Sequence, residues 1–299
     1  MGRLDGRVVL VTGSGRGFGR AMAIAYALEG GDVIGVARTR SELEDMAGKA
    51  ESMGGSVDVY TADLASAEDI YGLRDWVIDE FGRMDVMVNN AAASPWRTLE
   101  DCTIEVWDRT IAVNLRAPML IAKAFLDAIK GQESASIINI SSRSAEMGFV
   151  AEVAYCPSKY GLEGLTQCLA LELQPHNVAV NSLNVSSPPG KTLKPTALTL
   201  EEAGEMPSEV RGRYAGDMDL VEAFSGAWVF LALQTGRGVT GQRFRTADLA
   251  EYLRENSWEA AEAKWRRKLT RAVYEGYEFP ESVRYQTPDG GWEEVEFSF

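Results

Sequence analysis

Residues 8–19 read Val-Val-Leu-Val-Thr-Gly-Ser-Gly-Arg-Gly-Phe-Gly, and this stretch decides the fold. The apolar run at 8–11 predicts a buried β-strand that passes directly into a glycine-rich turn. A helix is predicted to follow and to end near Leu28. A strand, a glycine turn and a helix in this order favour a bound dinucleotide, because glycines let the backbone approach a diphosphate and a helix amino terminus favours its charge. The alternative is a tight turn without a ligand.

Strands and helices are predicted to alternate through most of the chain. The strand after the first helix is predicted at 33–37, and further strands at 57–62, 86–88, 136–141, 178–183 and 240–245. Helices are predicted at 41–53, 67–81, 155–173 and 220–233. This alternation is typical of an α/β fold with a parallel sheet.

The end of the second strand bears on which dinucleotide is bound. A binder of an unphosphorylated dinucleotide carries an acid near this strand end, and an arginine nearby accommodates a 2′-phosphate instead. Ala37 occupies the expected acid position, Arg38 follows it, and Arg16 adds a second cation. We therefore expect NADP(H) to be preferred over NAD(H), because charge-assisted forks are strong phosphate contacts. The alternative is that Arg38 lies in a solvated loop.

A candidate proton-transfer site lies at 142–159. Ser142 is predicted at the end of a buried strand, and open parallel sheets place their chemistry outside the carboxyl ends of the strands. Tyr155 and Lys159 are four residues apart, so they share one face of the predicted helix. An ammonium one turn away is expected to favour the phenolate and to lower the pKa of Tyr155. These residues suit carbonyl reduction or alcohol oxidation.

Taken with the glycine turn, these motifs resemble the short-chain dehydrogenase/reductase family over about residues 4–249. The matching residues are Thr12, Gly13, Gly17 and Gly19, the run 89–92, Asn114, Ser142, Tyr155 and Lys159. The resemblance implies a Rossmann fold, a doubly wound parallel sheet of seven strands in a three-layer αβα arrangement. It also implies a single domain at 1–250, with a C-terminal extension at 251–299.

Residue roles follow from the same resemblance. Tyr155 is implied as the general acid or base, Ser142 as the group that holds the substrate oxygen, and Lys159 as the group that lowers the pKa of Tyr155 and binds the nicotinamide ribose. Asn114 is implied to hold a water that relays protons to Lys159; the alternative is an ordinary polar helix residue. The implied cofactor contacts are Gly13, Ser14, Arg16, Gly17, Phe18, Gly19, Arg38, Thr39, Asp63, Leu64, Asn90, Ala91, Ala92, Tyr155 and Lys159. Asp63 is expected to accept from an adenine amino group or to cap the next helix.

The chain departs from the family pattern after the sixth predicted strand. The family usually carries Pro-Gly where Val185 and Ser186 stand, so the contacts to the nicotinamide carboxamide stay open. Residues 186–217 are interpreted as a substrate loop, because long loops in compact domains are usually functional or disordered. Trp96, Met147 and Phe149 are expected to flank the site and to favour an apolar or cyclic substrate.

The extension also departs from the family, which normally stops near residue 250. Residues 259–277 are predicted to be helical. Residues 282–287 and 292–299 flank a turn at 288–291 and are predicted to form a hairpin with one apolar face. We hypothesise that the extension covers a neighbouring subunit or borders its active site; the alternative is that it packs only on its own body.

Composition narrows the remaining choices. The net charge of −14 argues against a nucleic-acid or anionic-membrane surface. The three cysteines and single histidine argue against a disulfide framework or a metal site, and a cytoplasmic location is expected. The expected partners are a small ketone or alcohol and further copies of the chain, as a homodimer or homotetramer. The alternatives to an oxidoreductase are a catalytically silent dinucleotide sensor or scaffold, and a dehydratase or epimerase without net cofactor turnover.

Overall fold

A seven-stranded parallel sheet forms the centre of the molecule. The computed structural model describes residues 2–193, 212–266, 268–269, 277–278, 282–286 and 292–296. Within them, the sheet strands are β1 Val8–Thr12, β2 Asp32–Ala37, β3 Val57–Thr61, β4 Val86–Asn89, β5 Ala135–Ser141, β6 Val178–Asn184 and β7 Arg243–Arg245. Their order is β3-β2-β1-β4-β5-β6-β7, and every neighbouring pair is parallel. The predicted fold class is confirmed.

Helices connect the strands and cover both faces of the sheet. They are α1 Gly17–Leu28, α2 Arg40–Ser52, α3 Ala67–Phe81, α4 Ile104–Ile111, α5 Ala117–Ala124, α6 Leu126–Lys130, α7 Tyr155–Leu173, α8 Asp217–Ala232, α9 Thr246–Glu255 and α10 Trp258–Trp265. A π-helical turn at Ala112–Arg116 joins α4 to α5. Two apolar clusters fill the space between sheet and helices, one for each face.

The strand order places a crevice at the carboxyl ends of the parallel strands. The chain winds outward from β1 to β3 and then returns to β4 on the other side of β1. In open α/β sheets, ligands bind at the carboxyl ends of the strands where the winding direction reverses. The glycine turn after β1 and the segment after β4 meet at this point. The fold therefore places both motifs at one end of the crevice.

Some sequence-based boundaries were wrong. The last strand was predicted at 240–245, but β7 begins at Arg243, because Gly241 turns the chain at a φ of +70°. The helix predicted at 220–233 begins at Asp217, and the helix predicted at 259–277 ends at Trp265, after which a two-residue strand, β8 Lys268–Leu269, pairs with β9 Tyr277–Glu278. Helix α9 was not predicted; it spans residue 250, and the division of the chain there stays a prediction.

The described start of the extension packs on the body of its own chain. Trp265 makes edge contacts with Phe244 and Tyr252, with ring centroids 5.1 and 4.8 Å apart. Trp258 makes an edge contact with Phe230 at 5.5 Å. This arrangement favours the second of the two hypotheses for residues 258–265.

The predicted hairpin is present. Strand β10 Ser282–Gln286 pairs antiparallel with β11 Trp292–Glu296. The turn at 288–291 and residues 297–299 lie outside the described residues, as does 194–211 of the predicted substrate loop. The described stem of that loop is joined by a bridge between Thr192 and Tyr214.

Two classes of feature are missing from the described part of the chain. It contains no helix with the length and apolar character needed to cross a bilayer. It also contains no group of three or more histidine, cysteine or acidic side chains that could hold a metal ion.

Candidate active site

The glycine turn is pressed against the segment that follows β4. A Cβ atom on Gly19 would lie 2.2 Å from Asn90 Nδ2 and 2.5 Å from the Gly13 carbonyl oxygen, so only glycine fits there. Gly13 and Gly17 have φ values of +65° and +61°, which side chains disfavour. Asn90 donates from Nδ2 to the carbonyls of Thr12 and Gly13 at 2.9 and 3.1 Å. This amide therefore ties β4 to the turn.

The side chains of several predicted cofactor residues point into the core. Leu64 and Ser14 are buried, and Phe18 packs on Phe224 and Trp228 with ring centroids 6.2 and 5.1 Å away. The Ser14 hydroxyl has no hydrogen-bond partner among the described residues. The Leu64 and Ser14 side chains are therefore not exposed to a cofactor, and that of Phe18 is partly exposed.

Charged side chains surround the outer end of the turn. Arg16, Arg38 and Thr39 are exposed. A carboxylate that the sequence analysis did not consider, Glu42, lies against the turn, because a Cβ on Gly15 would be 2.9 Å from Glu42 Oε2. Two cations and one anion thus meet where a ribose phosphate is expected.

Asp63 lies behind this region and is already paired. Both of its carboxylate oxygens accept from Arg109, at 2.7 and 2.9 Å. The hydrogen bond from Arg109 lowers the pKa of Asp63, and the nearby charge of Arg38 adds to the effect. Ser66, and not Asp63, caps α3 by accepting from the Asp69 N–H. The predicted adenine contact of Asp63 would have to share these oxygens with Arg109.

Ser142 and Tyr155 meet at the inner end of the crevice. Ser142 follows the last residue of β5, and Tyr155 is the first residue of α7. The Ser142 side chain is close enough to the Tyr155 phenol to lower its pKa. The Ser144 N–H donates to the Ser142 hydroxyl at 3.1 Å, and the Ser144 hydroxyl donates to Glu152 at 2.6 Å. The Ser142 hydroxyl is thus held beside the phenol by its own loop.

The phenol has a raised pKa. Burial raises the pKa of Tyr155 to about 12, and the nearby Glu152 and Cys156 add to the rise, while the Ser142 side chain lowers it. Burial is the largest of these causes, and Lys159 is not among them. The Lys159 ammonium donates to the Ile140 carbonyl at 2.7 Å, and its predicted lowering of the phenol's pKa stays a prediction.

Lys159 lies one helical turn beyond the phenol. Its Nζ atom is 5.6 Å from the centre of the Tyr155 ring, so the predicted sharing of one helix face is correct. The side chain is almost fully buried, and burial lowers the pKa of Lys159 to about 8 against an opposing effect of Glu163. The lysine is therefore held close to the point of losing its charge at mildly alkaline pH.

Asn114 lies in the π-helical turn between α4 and α5. Its Oδ1 accepts from the Ala93 N–H at 2.7 Å, and its Nδ2 donates to the Ala93 carbonyl at 2.8 Å and to Ser158 Oγ at 3.0 Å. Ser158 Oγ in turn donates to the Tyr155 carbonyl at 2.6 Å. The amide thus connects the segment after β4 to α7, and its predicted water-holding role stays a prediction.

A buried charge network lies beneath the site, and sequence reasoning missed it. Glu163 is 2% exposed and accepts from Ser141, from Ser182 at 2.7 Å and from Arg243 Nε at 3.1 Å. Arg243 also donates from Nη2 to Glu146 at 2.7 Å and to the Ser142 carbonyl at 3.3 Å. The spacing of Glu163 from Lys159, four residues on one helix, was the available signal.

Comparisons with known proteins agree with this arrangement. A family model described as short chain dehydrogenase matches residues 7–194. D-threitol dehydrogenase of Mycolicibacterium smegmatis is 34% identical over 182 residues, which are 61% of this chain and 70% of that protein. The 3-oxoacyl-(acyl-carrier-protein) reductase FabG of Thermotoga maritima is 30% identical over 243 residues, 80% of this chain and 96% of its own length.

Solved structures agree as well. A metagenomic short-chain oxidoreductase crystallised with NADP superposes with a TM-score of 0.60 at 34% identity, over 63% of this chain and 86% of that one.

Proposed function

The chain belongs to the short-chain dehydrogenase/reductase family, and from this premise we propose that Tyr155 is the general acid or base of an NAD(P)-dependent oxidoreductase that interconverts a ketone and a secondary alcohol. The observation that carries this proposal is the placement of Ser142, directly after β5, beside Tyr155, the first residue of α7, at the inner end of the crevice. A substrate oxygen at this point would meet a hydroxyl donor and a proton donor together.

Tyr155, Ser142 and Lys159 have different proposed roles in the proton transfer. With its pKa raised, Tyr155 is protonated at neutral pH, which is the form that donates a proton to an alkoxide during ketone reduction. Ser142 donates a hydrogen bond to the substrate oxygen, and Lys159 places a positive charge one helical turn away. The nicotinamide supplies or accepts the hydride when it is bound.

The backbone of the π-helical turn that contains Asn114 can bind the water that is predicted to relay protons. A π turn replaces the normal helical pairing with a wider one, and such turns are frequent at functional sites. Because the Asn114 amide is occupied by Ala93 and Ser158, we assign the relay water to the backbone of this turn rather than to the side chain.

The glycine turn fits a dinucleotide. The crowding at Gly13 and Gly19 leaves a side-chain-free surface at the amino terminus of α1, which suits a diphosphate. Arg38 and Arg16 would hold a 2′-phosphate, and no acid stands at Ala37, so we assign NADP(H) as the preferred cofactor. Glu42 works against this preference, because its carboxylate lies against the turn.

Helices α4, α5 and α7 are proposed to form the interface of a homodimer. They carry large apolar side chains that are exposed in the single chain, namely Ile104, Trp107, Met119 and Tyr160. Light scattering on the full chain measures the mass directly.

Replacement of Tyr155 by phenylalanine tests the catalytic assignment. Tyr155→Phe should lower kcat for ketone reduction by about 10²–10⁴-fold, because it removes the transferable proton and keeps the ring. The Kd for the reduced cofactor, read from its fluorescence, should change by less than about threefold.

The matched control is Tyr71→Phe, which removes a partly exposed hydroxyl from α3, outside the proposed interface, and should leave kcat unchanged. Full activity in Tyr155→Phe would overturn the assignment.

A further inference from the structure

A cavity of about 390 Å³ opens near Ser142, whose neighbour in the chain, Arg143, lines it. It is lined by Arg143, Glu146, Met147, Asn184, Val185, Ser186 and Arg245. These residues follow β5 and β6 or end β7, so the cavity opens at the same sheet edge as Ser142. Its volume lies at the small end of the range for small-molecule sites, about 300–1,000 Å³. The position and size fit the part of a small substrate beyond its reacting carbon.

The cavity wall combines apolar and charged groups, whereas the sequence suggested an apolar substrate. Met147 lines the cavity as expected, but Trp96 and Phe149 do not, and two guanidinium groups do. Arg143 is exposed and makes no ion pair with any residue that the structure describes; its guanidinium lies 5.9 Å from the centre of the Phe149 ring. Arg245 is 58% exposed and has a single acidic contact at 3.3 Å.

That acidic contact, Glu146, is already held by a third arginine. Its Oε1 accepts from Arg243 at 2.7 Å and from Asn184 at 3.3 Å, which leaves Oε2 for Arg245. Burial alone would raise the pKa of Glu146, but the bonds and charges of Arg243 and Arg245 outweigh it and lower the pKa. The Arg243 charge is in turn balanced by the buried Glu163. The wall therefore presents two guanidiniums against one carboxylate.

We propose that Arg143 and Arg245 form a subsite for an anionic group of the substrate, a carboxylate or a phosphate, at the cavity beside Ser142. Guanidinium forks match the planar or tetrahedral oxygens of these groups. The chain as a whole carries a net charge of −14, so this local excess of positive charge is not a general property of the surface. The inference rests on the proposed function, because it assigns the substrate class of the same site.

Matched substrate pairs test the subsite. Three- to six-carbon hydroxy acids are compared with their amides, and sugar phosphates with the free sugars, using both cofactors. We expect the wild-type kcat/KM to favour one charged class over its neutral partner by about tenfold or more. In Arg143→Gln/Arg245→Gln, the kcat/KM for the charged member should fall by about 10–100-fold, and that for the neutral member by less than about threefold.

The control removes two charges elsewhere. Arg237→Gln/Arg254→Gln makes the same chemical change at two exposed positions away from the cavity and should preserve the preference. A neutral substrate that is preferred or equal overturns the proposal, as does a charge preference that survives in the subsite double variant. Preference for acids or for phosphates identifies which anion is bound.

A failure of the proposed oxidoreductase function can be distinguished from a failure of the anion subsite. If the wild-type protein turns over no pair with either cofactor, the proposed function falls, and the subsite is then read by calorimetry with malonate on the full chain. Binding that is lost in Arg143→Gln/Arg245→Gln supports the subsite, and absence of binding to the wild type refutes it.

Discussion

Replacement of Arg243 by methionine should produce a large loss of stability. Arg243 has a side chain that is 9% exposed, and its ion-pair partner Glu163 is more deeply buried. Methionine keeps the apolar stem and removes the guanidinium, so Glu163 keeps its two serine donors but loses its paired cation. Removing one partner of a buried pair costs about 3–5 kcal/mol, because the remaining charge stays desolvated. We expect Tm to fall by roughly 10 °C.

The matched control for this prediction lies two residues further along β7. Arg245 contacts the same Glu146, but it is 58% exposed, so Arg245→Met should cost less than about 1 kcal/mol. The double variant Glu163→Gln/Arg243→Met removes the stranded charge and should recover part of the loss. Urea denaturation, monitored by tryptophan fluorescence, measures the free energy of unfolding of each variant. Equal costs for Arg243→Met and Arg245→Met would refute the reasoning, and so would a double variant that is no more stable than Arg243→Met.

Further variants test the site. Lys159 has a pKa of about 8 in the folded protein and an ordinary pKa of 10.5, so between these two values the unfolded chain holds more protons than the folded one. The free energy of unfolding of the wild type should therefore rise relative to that of Lys159→Met between pH 8 and 10.5, and the two should run parallel below pH 8. A constant difference in urea denaturation would contradict this. Gly19→Ala should cost about 1–3 kcal/mol and weaken cofactor binding, whereas Gly226→Ala, with open space around its Cβ, should stabilise by up to about 1 kcal/mol in thermal melts. Arg38→Asp should lower the ratio of kcat/KM for NADP(H) to kcat/KM for NAD(H) by about 10–100-fold. Glu42→Gln should raise the same ratio. An unchanged ratio in Arg38→Asp would remove the basis for the assigned cofactor preference.

Features that depend on short-range pattern were predictable from the sequence. The glycine turn was predictable because strand, turn and helix are contiguous at 8–28, and β1, β2, β4, β5 and β6 were predictable because buried parallel strands form apolar runs. The shared face of Tyr155 and Lys159 followed from helical spacing alone. Each of these features is decided by neighbours within one element or one turn.

Features that depend on long-range packing were not predictable in this way. Arg243 reaches Glu163 across 80 residues, and nothing local to either residue indicates the pairing. The pKa of Tyr155 is decided by burial, which residue spacing does not report. Glu42 lies within the helix predicted at 41–53, and only the fold brings its carboxylate against the glycine turn. The end of the helix at Trp265 is another such case, since the charged sequence beyond it gives no stop signal.

The hydrogen bonds of Asn90 and Asn114 bear on how the substrate range of the protein can change. They join the glycine turn to Tyr155, the proposed proton donor, through Ala93 and Ser158, so these parts form one continuous hydrogen-bonded scaffold. The arginines around the cavity come from segments outside that scaffold. New substrates can therefore be accommodated by altering the cavity wall while the chemistry is inherited intact.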